Sequence, residues 1–418
     1  MNTKSAKLYI VDDDIQMCGL LEAYTCDEFN VISHQSARAF LACPINDGDI
    51  VLLDLKMPDM DGVEVIRELA NINRNCSLLI MSGYDEGVLH SSQQLAKEYG
   101  LNIIAYLTKP IKFSYLMSIL TNLREMNNQN TSTALDAGDE GNSLNDFQSS
   151  RKYSHCKSID FMPTLEELVE ALKRQHLVLY YQPQISLTQN KIIGVEALVR
   201  WHHPEYGVIF PDQFIPLAEQ SGVIEQLTER VINLAIEQLN LWNKRALDLK
   251  ISINISAQNV TSFTLPDQLT RLVNENEVDP SMLILEITES ALMTELTTSL
   301  NILTRLRLKG FQLSIDDFGT GYSSLSQLHR VPFTELKIDR TFVSGMHKSS
   351  ESKAIVDTCI LLGHNLNMTV IAEGVEDQKT LDLLQKMGCD NAQGYVIAKP
   401  LPIAQFEKWL EDFYNKID

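Results

Sequence analysis

The feature that most restricts how this chain can fold is a rhythm: short apolar runs that stop at a polar side chain, each followed by an amphipathic stretch. LYIV (8–11), IVLL (50–53), LLIM (78–81) and IIAYL (103–107) are such runs, with helical patterns at 63–72 and 115–126 between or after them. Buried strands alternating with helices predict a parallel sheet whose ligands gather at the carboxyl ends of the strands. From 127 to 158 the text turns to Asn, Ser, Asp and Gly, which cannot bury enough apolar surface to order itself. This segment is expected to be a polar linker between a domain at 1–126 and another at 159–418. In the second domain VLYYQPQI, IIGVEALVRW, KISINIS, LILEITES, FQLSIDDF, ELKIDR, TVIAEGVE and NAQGYVI make eight candidate strands. Eight strands in about 250 residues match a (β/α)8 barrel. The expected fold class is α/β, a doubly wound (βα)5 domain followed by that barrel.

Charge and composition exclude several functions. The chain carries 55 acidic and 35 basic residues, a net charge of −20, unlike a scaffold for nucleic-acid phosphates. Its C-terminal KWLEDFYNKID leaves no room for a DNA-binding module, so no DNA partner is expected. No apolar run reaches the ~20 residues of a membrane helix, and LYIV is too short for a signal peptide before Asp12-Asp13-Asp14. Seven cysteines are scattered with no C-x-x-C pair, which fits reduced thiols and a cytoplasmic protein.

In the first domain Asp12 and Asp13 follow the first strand and Asp54 ends the third. Ser82 ends the fourth strand, and Lys109 follows the fifth. Carboxylates meeting at one sheet edge repel unless a cation neutralises them, and hard oxygen donors favour Mg²⁺. A lysine and a hydroxyl beside them suit a phosphoryl group, with one Asp as its acceptor. IVDDD, LLDLKMPDMDG, MSGYD and AYLTKP resemble the signature of the receiver domain of two-component response regulators. The resemblance implies that Asp54 is the phosphoacceptor and that Asp12 and Asp13 hold one Mg²⁺ with it. It also implies that Ser82 and Lys109 contact the phosphoryl group, that Tyr106 is the aromatic switch, and that a cognate sensor histidine kinase is the donor.

In the second domain the strand ends are again polar: Glu196, Asn254, Glu286 with Glu289, Asp316-Asp317, Lys337, Glu373 with Glu376, and Gln393. The carboxyl ends of barrel strands form the active-site mouth. Glu196, Glu286 and Asp316 interrupt apolar strands, where a buried carboxylate needs a partner. Adjacent Asp316 and Asp317 could bridge two hard cations about 3.5–4 Å apart, a device for in-line phosphodiester cleavage. The segments GVEALVRW, DDFGTGYSSL (316–325), KIDR (337–340), AEGVE (372–376) and QGYVIAKPLP (393–402) resemble the EAL domain, a cyclic-di-GMP phosphodiesterase on a modified TIM barrel. That likeness implies hydrolysis of cyclic di-GMP to linear pGpG with two Mg²⁺ or Mn²⁺. Glu196, Asn254, Glu286 and Asp316 would hold the first metal. Asp316 and Asp317 would hold the second, with Glu373 and Gln393 reaching it through water. Lys337 and Glu373 would be the catalytic pair, Glu376 would support the metal shell, and Glu289 would brace the 316–325 loop. Gln184 and Arg200 match positions that contact the dinucleotide. EAL domains commonly pair at the barrel, so a homodimer or higher homo-oligomer is expected. The competing reading is a catalytically silent EAL domain that senses cyclic di-GMP. Silent members typically lose metal ligands or the bracing glutamate, all of which this chain keeps.

Overall fold

A computed structural model describes residues 7–72, 76–83, 86–129, 163–289, 291, 296–320, 328 and 330–415. The first domain runs β1 (Lys7–Val11), α1 (Ile15–Thr25), β2 (Asn30–His34), α2 (Ala37–Leu41), β3 (Ile50–Asp54), α3 (Gly62–Asn71), β4 (Ser77–Ser82), α4 (Glu86–Glu98), β5 (Asn102–Thr108) and α5 (Phe113–Gln129). Its five strands are parallel in the order β2-β1-β3-β4-β5. β3 and β4 are buried along their whole length, as apolar runs covered by helices on both faces should be. Carboxylates start the helices: Asp14 accepts hydrogen bonds from the Gln16 and Met17 amides, and Asp61 from that of Glu64. The edge strand β2 is half-buried, so the apolar-run pattern does not single it out. α5 continues to Gln129, three residues past the expected domain end. The rest of the expected linker, 130–158, lies outside the described residues.

The second domain begins with α6 (Leu165–Lys173), β6 (Leu177–Ser186), β7 (Lys191–His203), β8 (Gly207–Ile209), α7 (Pro211–Ser221), α8 (Ile224–Lys244) and β9 (Lys250–Asn254). It continues with α9 (Leu265–Glu275), β10 (Leu283–Thr288), α10 (Leu296–Leu308), β11 (Gln312–Phe318), β12 (Glu335–Ile338), β13 (Thr369–Ala372), β14 (Asn391–Gln393) and β15 (Leu401–Pro402). Further helices cover Ser350–Asn365, Gln378–Lys386 and Ile403–Tyr414. The strands β6-β14-β13-β12-β11-β10-β9-β7 form one sheet, and the pairing of β6 with β7 closes it into the expected eight-stranded barrel. The modification is the direction of β6, which runs antiparallel to both β7 and β14. A tight hairpin therefore joins β6 to β7, where a regular barrel would need a helical crossover. The other barrel neighbours pair in parallel, which aims their carboxyl ends at one mouth. No helix among the described residues is long and apolar enough to cross a membrane.

Candidate functional site

The receiver-type sheet brings Asp12, Asp13, Asp54 and Lys109 together. Carboxylate oxygens of Asp12, Asp13 and Asp54 lie within 4.8 Å of one another. The Lys109 ammonium bridges two of them, 2.8 Å from Asp12 Oδ2 and 3.0 Å from Asp54 Oδ2. Burial raises the Asp54 pKa even though Lys109 opposes it. One lysine against three carboxylates leaves negative charge uncompensated, and the all-oxygen donor set fits Mg²⁺. Ser82 is buried at the end of β4, and its carbonyl accepts the Lys109 amide at 2.9 Å. The Tyr106 hydroxyl is buried without a hydrogen-bond partner among the described residues.

At the barrel mouth the geometry centres on Lys337, which is 0% exposed. Its Nζ lies 2.6 Å from Glu373, 2.9 Å from Glu286, 3.6 Å from Asp316 and 3.7 Å from Glu196. β7, β10, β11 and the end of β13 each contribute one of these carboxylates, so the barrel itself assembles the cluster. Four carboxylates around one ammonium leave three charges unbalanced. Burial drives the Glu373 pKa up to about 8 and that of Glu286 well above the usual range. For Glu196 burial acts in the same direction, but Lys337 and hydrogen bonds from Gln393 and Asn254 outweigh it and hold the pKa low. Glu286 Oε2 and Asp316 Oδ1 are buried and accept no hydrogen bond among the described residues. Unbalanced charge and idle oxygen lone pairs are what hard divalent cations would satisfy, so the donor set fits Mg²⁺ or Mn²⁺.

A chain of amides supports the cluster. Gln184 Nε2 donates to Gln393 Oε1 at 2.9 Å, and Gln393 Nε2 donates to Gln182 Oε1 at 3.0 Å and to Glu196. Asn254 Nδ2 donates to the other Glu196 oxygen at 3.0 Å. Gln182 was not among the expected site residues. Its signal was there, because QPQ places Gln182 and Gln184 on the same face of one strand. Glu289 accepts the Gly319 amide at 3.2 Å, a contact that ties the end of β10 to the bend after β11. Asp317 opens that bend with a φ of 56°. Residues 321–325 of the expected loop lie outside the described residues. Glu376 is exposed and makes no hydrogen bond or ion pair among the described residues, which leaves it outside the cluster.

Beside the cluster lies a cavity of about 900 Å³, lined in part by Arg200, Phe210, Asp212, Glu219, Asn254 and Arg340. Asn254 belongs to both cavity and cluster, which makes them one site. The volume is within the roughly 300–1,000 Å³ of small-molecule pockets. Arg200 is buried, with its guanidinium 5.0 Å from the Phe210 ring centre and 5.7 Å from that of Tyr180. Gln184 does not line the cavity; it is buried in the amide chain instead. Gly374 adjoins Arg340 and has φ +63°, and a Cβ there would collide with the Arg340 Cβ. Gly388 also has a positive φ, +79°, but faces open space. Gly374→Ala should therefore destabilise the protein by about 1–3 kcal/mol more than Gly388→Ala, since only the first adds a clash to the strained φ. Thermal unfolding of the two variants checks this, and equal losses would contradict the packing described.

Comparisons with known proteins identify both domains. Residues 165–400 match the model of the EAL domain, and residues 8–121 match that of the response regulator receiver domain. The chain is 43% identical over 242 residues to the bifunctional diguanylate cyclase/cyclic di-GMP phosphodiesterase MucR of Pseudomonas aeruginosa, covering 58% of this chain and 35% of that protein. It is 28% identical over 360 residues to the cyclic di-GMP phosphodiesterase RocR of the same organism, covering 86% of each. The solved MucR phosphodiesterase in complex with c-di-GMP superposes with a TM-score of 0.56 at 43% identity, covering 58% of this chain and 98% of that one. The chain spans less than half the length of several curated relatives it matches, 35% of MucR among them. From the ring of strand-end carboxylates and the matching family model, the chain belongs to the EAL domain family, with a response regulator receiver domain ahead of its barrel.

Proposed function

We propose that this chain hydrolyses cyclic di-GMP to linear pGpG with two divalent cations, Mg²⁺ or Mn²⁺, at the barrel mouth. The observation that carries the reading is the buried Lys337 with its four carboxylates, opening through Asn254 onto the cavity. Glu196, Asn254, Glu286 and Asp316 would hold the first cation, and Asp316 with Asp317 the second, with Glu373 and Gln393 acting through water. Bound there, the cations would polarise the phosphodiester and acidify the attacking water. Glu373 takes the proton of that water, since it stands at the end of β13 on the rim of the cluster and is held there by Lys337. Lys337 orients the nucleophile and holds Glu373 by their 2.6 Å contact. Glu289 positions the bend carrying Asp317 through Gly319, Glu376 supports the metal shell from outside, Arg200 positions the dinucleotide from the cavity wall, and Gln184 acts on it through the amide chain that ends on Glu196. In this reading the chain is cytoplasmic and works as a homodimer or higher homo-oligomer. A cognate sensor histidine kinase phosphorylates Asp54, with Ser82 and Lys109 holding the phosphoryl group, Tyr106 as the switch and one Mg²⁺ on Asp12, Asp13 and Asp54.

The test is turnover of cyclic di-GMP by the full chain after EDTA treatment, with each cation added back. Mg²⁺ and Mn²⁺ should restore pGpG formation, while Ca²⁺, larger and more loosely coordinated, should bind without restoring it. Turnover without added metal would end the two-cation reading. Binding without turnover under every metal would favour the silent sensor.

A further inference from the structure

α10 lies between the strand that carries Glu286 and the strand that carries Asp316, and it is buried on every side. All residues from Ser299 to Leu308 are buried, Arg305 and Arg307 included. An outer helix of a barrel ordinarily keeps one face in water. Here the first domain covers that face. Asn301, Arg305 and Lys309, spaced four apart and so on one stripe, meet it in turn. Asn301 Nδ2 donates to the Tyr99 hydroxyl at 3.4 Å. Arg305, 1% exposed, lies 2.8 Å from Asp61 and 3.2 Å from Glu64 of the receiver, and 3.0 Å from Asp267 of the barrel. Lys309 lies 3.9 Å from Asp61 and 3.0 Å from Asp267. Arg67 of α3 stacks 4.5 Å from the Phe263 ring centre, adding a receiver cation over a barrel aromatic.

The other side of the metal-bearing strand is held too. Ser91 Oγ on α4 donates to the Arg330 carbonyl at 2.6 Å, and Arg330 Nη1 is 3.3 Å from Glu98. β11 and the bend with Asp317 lie between these two contacts in sequence. On the receiver side, both contact helices follow phosphoryl-site residues directly, α3 after Asp54 and α4 after Ser82. Asp61 caps α3 next to Gly62, whose amide donates to Leu55 at 2.9 Å. A Cβ on Gly62 would stand 2.7 Å from the Asp54 carbonyl, so the Asp61 loop is packed against the phosphoacceptor's own backbone.

We propose that the α3–α4 face of the receiver is a docking surface for the barrel's β10–α10–β11 unit. Arg305 is its charge clamp, and the state of Asp54 reaches the Asp316-Asp317 pair through it. The path lies within one chain and needs no second subunit. The activity part of this inference rests on the function proposed above; the docking part does not.

The test uses the full chain, with the small-molecule donor acetyl phosphate and Mg²⁺, and with phosphorylation of Asp54 measured on phosphate-affinity gels. Variants Arg305→Gln and Asp61→Asn, the latter keeping a helix cap, are compared with wild type and combined in one chain. Wild-type turnover of cyclic di-GMP should change by roughly 5–150-fold on phosphorylation, the usual range of allosteric coupling. Each variant should keep basal turnover and phosphorylation but respond less than about twofold, and the double variant no less than either. Hydrogen–deuterium exchange of α10 amides, which needs no substrate, should change with the donor in wild type and be donor-insensitive in the variants. A full response in both variants would overturn the proposal and place the coupling elsewhere, as would unchanged α10 exchange in phosphorylated wild type. If α10 exchange responds but no pGpG forms, the docking surface stands and the proposed activity falls.

Discussion

Glu373→Gln should lower kcat for cyclic di-GMP by about 10²–10⁴-fold, the usual cost of losing a general base. The amide keeps the shape of the side chain and can still accept from Lys337 at the place where the carboxylate sits 2.6 Å away. It cannot take a proton from water. KM should therefore change far less than kcat, since nothing lining the cavity is altered. Steady-state kinetics with Mg²⁺ in excess decide it. Wild-type turnover would move the base role to another group. A parallel loss of binding would show that Glu373 chiefly holds the metal.

Lys337→Met should be the most disruptive single change in the barrel. It removes the ammonium that Glu196, Glu286, Asp316 and Glu373 share, while Glu196, Glu286 and Asp316 stay buried and Glu373 half-buried. Breaking a buried ion pair from one side costs about 3–5 kcal/mol, because the remaining charge has no water and no partner. At roughly 2–4 °C per kcal/mol for a domain of this size, the melting temperature in EDTA should fall by about 6–20 °C. Mg²⁺ should recover part of that loss, because it supplies positive charge to the same oxygens, yet turnover should stay at least about 100-fold down for want of the orienting ammonium. Thermal unfolding with and without Mg²⁺ separates the two effects. A variant as stable in EDTA as the wild type would mean that the carboxylates simply protonate at little cost.

The parts of the structure that were legible in the sequence share a cause. Strands buried on both faces leave continuous apolar runs, and a charged residue that interrupts or closes such a run stands out, as Glu286 and Asp54 do. β2 was not legible because an edge strand is half in water and its residues read as mixed. Gln182 was missed for another reason. In β6, the barrel strand that runs against its neighbours, the mouth residues do not sit at the carboxyl end, so the positional rule looks in the wrong place. The docking stripe of Asn301, Arg305 and Lys309 reads as an ordinary solvated helix face, since polar residues four apart are what a surface helix shows anyway. Only the acids that meet it, some 240 positions away in sequence, reveal otherwise.

That distance bears on how such chains can be recombined. A receiver transplanted from another protein could bring its own phosphoryl site and fold well, yet lack acids at the positions of Asp61 and Glu64. It would then leave the Arg305 guanidinium with Asp267 and the Phe263 carbonyl on its own side and no acid across the interface. The graft would be rejected at the interface, or would sit loosely and report nothing to the barrel. Conversely, a foreign receiver fitted to this barrel should need acids at those two positions together with partners for Asn301 and Arg330 such as Tyr99, Ser91 and Glu98 supply here. Input and output here are not freely exchangeable parts; they are keyed to each other, and Arg305 is the key.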